Sequence, residues 1–170
     1  MNAGGHGSDM AACLYRYTWV DLLSEAEGTG DLERLRYGYR SSSVGPSELV
    51  LDAQLLVTPG SAEHERAEVR SIVQWRRSHQ PGGANAGSVF TNPPDSSAGR
   101  LVEACGLKGL RIGTAEVSRK HANFIQADKG GSADDVLAVM ERVQAEVAAS
   151  TGVELTTEVE MVGFDGGGAP

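Results

Sequence analysis

Residues 132–163 read SADDVLAVMERVQAEVAASTGVELTTEVEMVG, and two periodicities meet inside this stretch. Val136, Leu137, Met140, Val143 and Val147 recur at helical spacing and make one apolar face, with Ser132 and Asp135 placed as a variant of the capping box and Gly152 as the stop. From Val153 the period changes to two. Val153, Leu155, Thr157, Val159 and Met161 alternate with Glu154, Thr156, Glu158 and Glu160, the pattern of a strand with one buried and one polar face. Upstream, Leu49, Leu51, Ala53, Leu55 and Val57 alternate in the same way until Pro59-Gly60, and Ser61 precedes a helix that carries Val69, Ile72 and Val73 and ends near His79. Ser97 to Cys105 predicts a short helix closed by Gly106, while Val89–Thr91, Leu110–Val117 and Ala122–Ile125 predict strands. In the first part of the chain, Gly28 to Gly30 between two β-prone runs predicts a hairpin over 14–39, and Ser41 to Ser43 a loop. Strands and helices mix without strict alternation, so the expected fold is α+β, a two-layer mixed sheet with helices on one face.

The chain has 170 residues, 40% of them apolar, enough for a sizeable core. Its 23 acidic against 15 basic residues leave a net charge of −8, a field that repels nucleic acid and anionic membrane surfaces. No run approaches the about 20 apolar residues of a membrane span, and MNAGGHGSDM has neither the basic start nor the apolar core of a signal peptide, so a cytoplasmic location is expected. Cys13 and Cys105 stand far apart, and His6, His64, His79 and His121 show no ligand spacing, which supports neither a disulfide framework nor a metal site.

Few residues advertise chemistry on their own. Glu158 falls on the polar face of the last strand, where a solvated carboxylate is equally at home. Ser88 follows Gly87 at the start of a strand; its hydroxyl could relay a proton or serve only the turn. Arg66, Arg70, Arg76 and Arg77 share one helix. Glu63, Glu65 and Glu68 account for the first two as helix-face ion pairs, but no acidic residue lies one turn from Arg76 or Arg77. In KHANF, His121 and Asn123 read as hydrogen-bonded structural groups. No GxSxG, GxGxxG or GxxxxGK[ST] occurs.

Four words, AGSVFTNP (86–93), AGRLVEACGLKG (98–109), RIGTAEVSRKHANFI (111–125) and GVELTTEVEMVG (152–163), come in the order and spacing that resembles the UDP-N-acetylenolpyruvylglucosamine reductase (UDP-N-acetylmuramate dehydrogenase, MurB) family. Upstream, MNAGGHG resembles the end of that family's FAD-binding region and YGYRSSS its YR-S segment. The resemblance implies a flavoprotein in which NADPH reduces FAD and hydride then passes to the enolpyruvyl β-carbon of UDP-N-acetylglucosamine enolpyruvate, a step of peptidoglycan precursor synthesis. It implies Ser88 as the general acid for the α-carbon, Glu158 as the residue that helps stabilise the enol-like intermediate, and Arg40 as a further catalytic residue. Arg76 and Asn92 would line the substrate pocket, and Asn2, Ala3 and Gly4 would touch the cofactor. It also implies a remnant of the FAD-binding domain over 1–58 and a substrate-binding C-terminal domain over 59–164; the glycine-rich end of the chain by itself predicts a disordered tail over 165–170.

Two departures shape the expectation. The resemblance begins within the tail of the FAD-binding domain, so the glycine-rich loops that hold the FAD pyrophosphate are expected in a missing N-terminal segment, with an exposed apolar edge where it would pack. The short span between Arg40 and Leu49 resembles the branch without a substrate-covering insertion, and Glu160 stands where some members carry arginine. The alternative from another class is a non-catalytic UDP-sugar-binding fragment without a flavin site.

Overall fold

The computed structural model describes residues 1–164; the tail expected over 165–170 lies outside the described residues. The chain divides into two compact units, Met1–Ile72 and Val73–Pro170.

The first unit opens with a minimal hairpin, β1 (Gly4–Gly5) and β2 (Ser8–Asp9), around His6 and Gly7, both in the left-handed region at φ 53° and 84°. That pair of positive φ values is what a two-residue turn between right-twisted strands requires. Asp9 caps the single-turn helix α1 (Met10–Cys13) by accepting from the Ala12 N–H at 3.0 Å. The chain then forms an antiparallel sheet, β3 (Leu14–Asp21), β4 (Glu27–Gly30) and β5 (Glu48–Leu55), in the order β4-β3-β5, with the short helix α2 (Leu32–Leu35) between β4 and β5. The hairpin expected over 14–39 is present, but its turn is 22–26 and not Gly28–Gly30, which belong to β4. The reason is steric. Gly30 lies opposite Tyr17 and Gly28 opposite Trp19, and a Cβ on Gly30 would sit 2.7 Å from the Tyr17 ring. The glycines let two aromatic rings fold across the neighbouring strand.

Leu14, Tyr17 and Leu35 are the buried core of this unit, with Trp19, Tyr37 and Val44 packed against them. Arg34 braces it: the guanidinium lies 4.0 Å from the Trp19 ring centroid, donates to the Tyr17 hydroxyl at 2.5 Å and pairs with Glu48. β5 is the contrast. Its outer edge is unpaired among the described residues, and Leu51, Leu55, Leu56 and Val57 are 57%, 49%, 64% and 84% exposed. The alternation over 49–57 therefore forms a strand only as far as Leu55, and without a covered face. Helix α3 (Ala62–His79) follows, and its expected apolar stripe is also open: none of its residues is buried.

The second unit holds α4 (Ala98–Ala104), a three-stranded antiparallel sheet of β6 (Arg111–Ile112), β7 (Ala115–Val117) and β8 (Ile125–Ala127), and α5 (Ala133–Thr151). α5 packs on all three strands and α4 packs on α5, a two-layer α+β arrangement with small antiparallel sheets. Val139, Met140, Val143 and Val147 of α5 meet Val102, Ala115, Val117 and Ile125 in one buried cluster. Gly106 follows α4 at φ 72° and Gly152 ends α5 at φ 72°, both as expected, and Ser97 caps α4 by accepting from the Arg100 N–H.

Five local expectations are corrected. Leu110–Val117 is not one strand but a hairpin turning at Gly113-Thr114. Gly113 has φ 51°, and a Cβ there would lie 2.3 Å from the Asp135 carboxylate, which accepts from both the Thr114 N–H and hydroxyl at 2.7 Å. Asp135 is thus spent on the hairpin rather than on a capping box; Ser132 alone caps α5 through the Asp134 N–H. The strand expected over 153–161 makes a single bridge, Phe90↔Thr157, which is also all that regular pairing amounts to in 89–91. Of the alternating set Leu155 is buried and Val159 packs against the core, but Met161 is 39% exposed, so the period of two tracks burial only in part and sheet membership not at all. In the 122–125 region only Ile125 enters β8, because Phe124 N–H closes a turn onto the His121 carbonyl.

Candidate active site

The segment Ser88–Asn92 is irregular backbone anchored from several sides. An Asn85 turn delivers it: Asn85 Oδ1 accepts from the Gly87 N–H at 3.0 Å, and Gly87 itself sits at φ 86°, open to a glycine and strained for other residues. Beyond it every polar main-chain group of Val89 and Phe90 is satisfied. Val89 N–H donates to the Asn123 carbonyl at 2.9 Å, and Val89 O accepts from the Glu158 N–H at 2.8 Å. Phe90 N–H donates to Asn123 Oδ1 at 3.0 Å, and Phe90 O accepts from Asn123 Nδ2 at 2.8 Å. Thr91 N–H donates to the Thr156 carbonyl at 2.9 Å.

This ladder brings two of the expected residues together. Ser88, half-buried, immediately precedes Val89, and Glu158, also half-buried, is the residue whose N–H bonds Val89. Asn92 closes the segment; its Oδ1 accepts from the Ala98 N–H at 3.0 Å and so fastens the segment to the start of α4. Arg76 lies exposed in the last turn of α3, within the same unit. Next to it, His79 stacks on Trp75 with ring centroids 4.5 Å apart. An apolar cavity of about 210 Å³ adjoins the segment between Ala86, Val89, Ile125, Val136, Met140 and Val159; its lining holds no titratable side chain, so it offers packing space and no acid or base.

The remaining expected residues belong to the first unit and meet one another there. Arg40, at φ 53°, donates to the carbonyls of Asn2 at 3.5 Å and Gly4 at 3.2 Å, and its guanidinium lies 5.2 Å from the Tyr39 ring centroid. Asn2 is buried, donating to Asp9 and accepting from the Ala11 N–H, each at 3.0 Å. Ala3 is tied by its carbonyl to the Met10 N–H at 3.0 Å. The result is a stiffened strip over 3–7 whose residues are all exposed and nearly side-chain-free, which fits close backbone approach by an extended cofactor.

By its sequence context Asn123 reads only as structural, beside His121. The structure supports that for His121: its Nδ1 accepts from the Asn123 N–H at 3.2 Å, its ring packs edge-on against Phe124 at 4.9 Å, and burial holds its pKa below 6.5, with Lys108 adding to the effect. No side-chain pattern signals the Asn123–Phe90 contact, because both partners on Phe90 are main-chain atoms. Among the described residues no group of three His, Cys, Asp or Glu could hold a metal, and no helix is long and apolar enough to cross a membrane.

Comparison with known proteins places this arrangement. Residues 79–162 match the family model of the UDP-N-acetylenolpyruvoylglucosamine reductase C-terminal domain, which spans the Ser88–Asn92 segment, Asn123 and Glu158. The whole chain is 42% identical over 164 residues to the UDP-N-acetylenolpyruvoylglucosamine reductase of Alkalilimnicola ehrlichii, covering 96% of this chain and 55% of that protein. The reductase of Syntrophotalea carbinolica is 42% identical over 166 residues, with 96% and 54% covered. Among solved structures, UDP-N-acetylenolpyruvylglucosamine reductase (MurB) from Thermus caldophilus matches with a TM-score of 0.82 at 35% identity, over 94% of this chain and 57% of that one. Residues 79–162 thus carry the C-terminal domain of the UDP-N-acetylenolpyruvoylglucosamine reductase family, and the chain is similar to such reductases over nearly all of its length. It spans about half the length of the curated relatives it matches.

Proposed function

We propose that this chain is the proton-donating, substrate-binding part of an FAD- and NADPH-dependent reductase that converts UDP-N-acetylglucosamine enolpyruvate to UDP-N-acetylmuramate for peptidoglycan. The observation that carries the reading is the bond from Glu158 N–H to the carbonyl of Val89, which sets the Ser88 and Glu158 words of the family side by side in one unit. Bound FAD would supply hydride, taken from NADPH, to the enolpyruvyl β-carbon. Ser88 would then deliver its hydroxyl proton to the α-carbon, so that hydride and proton together saturate the C=C bond. Glu158 would stabilise the enol-like intermediate before that proton arrives. Arg40, in the first unit, keeps the further catalytic role that the family resemblance implies; Arg76 would hold an anionic group of the substrate, and Asn92 would orient it.

Asn2, Ala3 and Gly4 fit a cofactor contact made through exposed main chain. In this reading residues 1–58 are the end of a FAD-binding domain and 59–164 the substrate-binding domain. The partner would be a flavin-binding polypeptide segment packed on β5, and two facts support it: the outer edge and apolar residues of β5 are open, and the relatives carry about as much length again outside the match.

The test is NADPH oxidation with the enolpyruvyl substrate and added FAD, on the parent chain and on Ser88→Ala, alongside calorimetric titration with the UDP-sugar. Turnover in the parent that is lost in Ser88→Ala supports the reading. Binding without turnover, even after a flavin-binding segment is supplied, would favour the non-catalytic UDP-sugar-binding alternative; neither binding nor turnover would refute both.

A further inference from the structure

We infer that Asn123 is the positioning residue of the Ser88–Asn92 segment, its carboxamide fixing the main-chain course from which Ser88 acts; the functional part of this inference rests on Ser88 being the proton donor. Asn123 is 4% exposed, and both of its side-chain bonds to Phe90 are buried. One planar group thereby takes the place of a neighbouring strand, satisfying the N–H and the C=O of the same residue. Its own carbonyl adds the bond to Val89 N–H. With Glu158 and Thr156 bonding from the other edge, residues 89–91 are pinned on both sides, and Ser88 and Asn92 are the two residues that flank the pinned stretch.

The side chain required here is narrowly defined. It must present one donor and one acceptor at a fixed separation, which ionised Asp, Leu and Ala cannot do, and Gln would overreach by a methylene. Asn123 is itself held in place: its N–H donates to His121 Nδ1, and α4 makes room through Gly99, where a Cβ would lie 3.3 Å from the His121 ring and 3.6 Å from Asn123 Cβ. The segment pairs regularly at only one bridge, so without the carboxamide its Asn123-facing edge would keep a single bond. Leaving the N–H and C=O of Phe90 both buried and unpaired is costly enough to let the segment open locally.

The decisive variant is Asn123→Asp in the full chain, because its competence depends on protonation. As a neutral acid it offers an O–H donor and a C=O acceptor and can restore the clamp; ionised, it has no donor and opposes the Phe90 carbonyl with charge. Burial raises the pKa of such a carboxyl, so the neutral form is expected at about pH 5 and the ionised form at about pH 8. His121, the titratable group bonded to Asn123, is present in both chains, so the parent controls for its titration. Protection factors of the Phe90 and Thr91 amides, measured by hydrogen exchange, are expected to match the parent at the lower pH and to fall roughly ten- to a hundredfold below it at the higher.

A purely structural role would instead lower protection uniformly, α5 amides included, and at both pH values. Parent-like protection of Phe90 and Thr91 in Asn123→Leu, which can form neither bond at any pH, or a uniform loss in Asn123→Asp, overturns the inference. Should the variant fail to fold, the Asn123 Nδ2 protons of the parent decide: slow exchange supports the clamp, exchange at the rate of an exposed amide refutes it. Affinity for UDP-N-acetylglucosamine enolpyruvate at the two pH values separates the two readings. A pH-dependent loss confined to the variant supports both; a parent that binds no UDP-sugar, with local pH-dependent protection in the variant, sinks the reductase reading while the clamp stands.

Discussion

Gly30→Ala should destabilise the first unit, while Gly28→Ala, two residues away in the same strand, should leave it nearly unchanged. A Cβ on Gly30 would lie 2.7 Å from two carbons of the Tyr17 ring and 2.8 Å from its hydroxyl, about 1 Å inside ordinary carbon contact. The ring cannot easily withdraw. Tyr17 is 2% exposed, its hydroxyl accepts from Arg34 at 2.5 Å, and Arg34 is in turn paired with Glu48 and stacked over Trp19. Forcing a methyl group into such a site costs about 1–3 kcal/mol. Replacing glycine within a strand returns about 0.5–1 kcal/mol, so the net loss centres on about 1 kcal/mol. At Gly28 the nearest Trp19 atoms are 3.2 and 3.4 Å away, a contact that small movements relieve, and gain and cost nearly cancel. Urea unfolding followed by tryptophan fluorescence in a Trp75→Phe background reports this unit alone, since Trp19 and Trp75 are the two tryptophans of the chain. Gly30→Ala as stable as Gly28→Ala would refute the steric account, as would an equal cost of Gly30→Ala in a Tyr17→Ala background, where the obstructing ring is gone.

Three further outcomes follow from titrating groups and caps. Asp21 is held down to about 2 by the Ser47 hydroxyl, with the Ser24 and Leu23 amides and the Ser24 hydroxyl contributing, so its folded pKa is depressed. Its stabilising contribution is present above 3.8 and lost as pH falls from there to about 2, and acid unfolding of Asp21→Asn should show a weaker dependence in that window; an unchanged profile would count against it. His121 is kept below 6.5 by burial first and by Lys108 second, so the fold favours its neutral form, and stability should decline as pH falls below 6.5. An NMR titration that placed His121 at or above 6.5 would contradict the packing described here. Gly152→Ala, at φ 72° with open space around it, should cost about 1 kcal/mol through backbone strain alone, read as a lower urea midpoint with an unchanged slope.

The elements readable from sequence are those whose cause is local. Helix α5 is set by a 3.6-residue stripe, Ser132 at one end and Gly152 at the other; α4 likewise is flanked by Ser97 and Gly106. Misreadings arise where a residue answers to something distant in sequence. Gly28 and Gly30 look like a turn, yet they are small because Trp19 and Tyr17 cross their strand. Gly113 divides an apparently continuous strand to admit the carboxylate of Asp135, and that service removes Asp135 from the cap where local spacing had put it. The apolar alternation of β5 was read correctly as strand and incorrectly as half-covered, since nothing in a period of two says whether a cover is present.

The same distinction governs the site. Ser88, Asn92 and Glu158 could be singled out because each stands in a word that resembles a family, and the ladder between 89–91 and 156–158 explains why words so far apart in sequence travel together. Asn123 stands in such a word as well, but its partners are the N–H and C=O of Phe90, atoms that every residue type except proline would present. Sequence therefore specifies the clamp and leaves its target unmarked. That asymmetry makes Phe90 replaceable by another large apolar residue without loss of either bond, so Phe90→Leu should retain the exchange protection of residues 89–91 even as it loosens the surrounding core. Loss of that protection in a Phe90→Leu chain whose α5 amides stay protected would mean that the ring, and not the carboxamide of Asn123, sets the course of the segment.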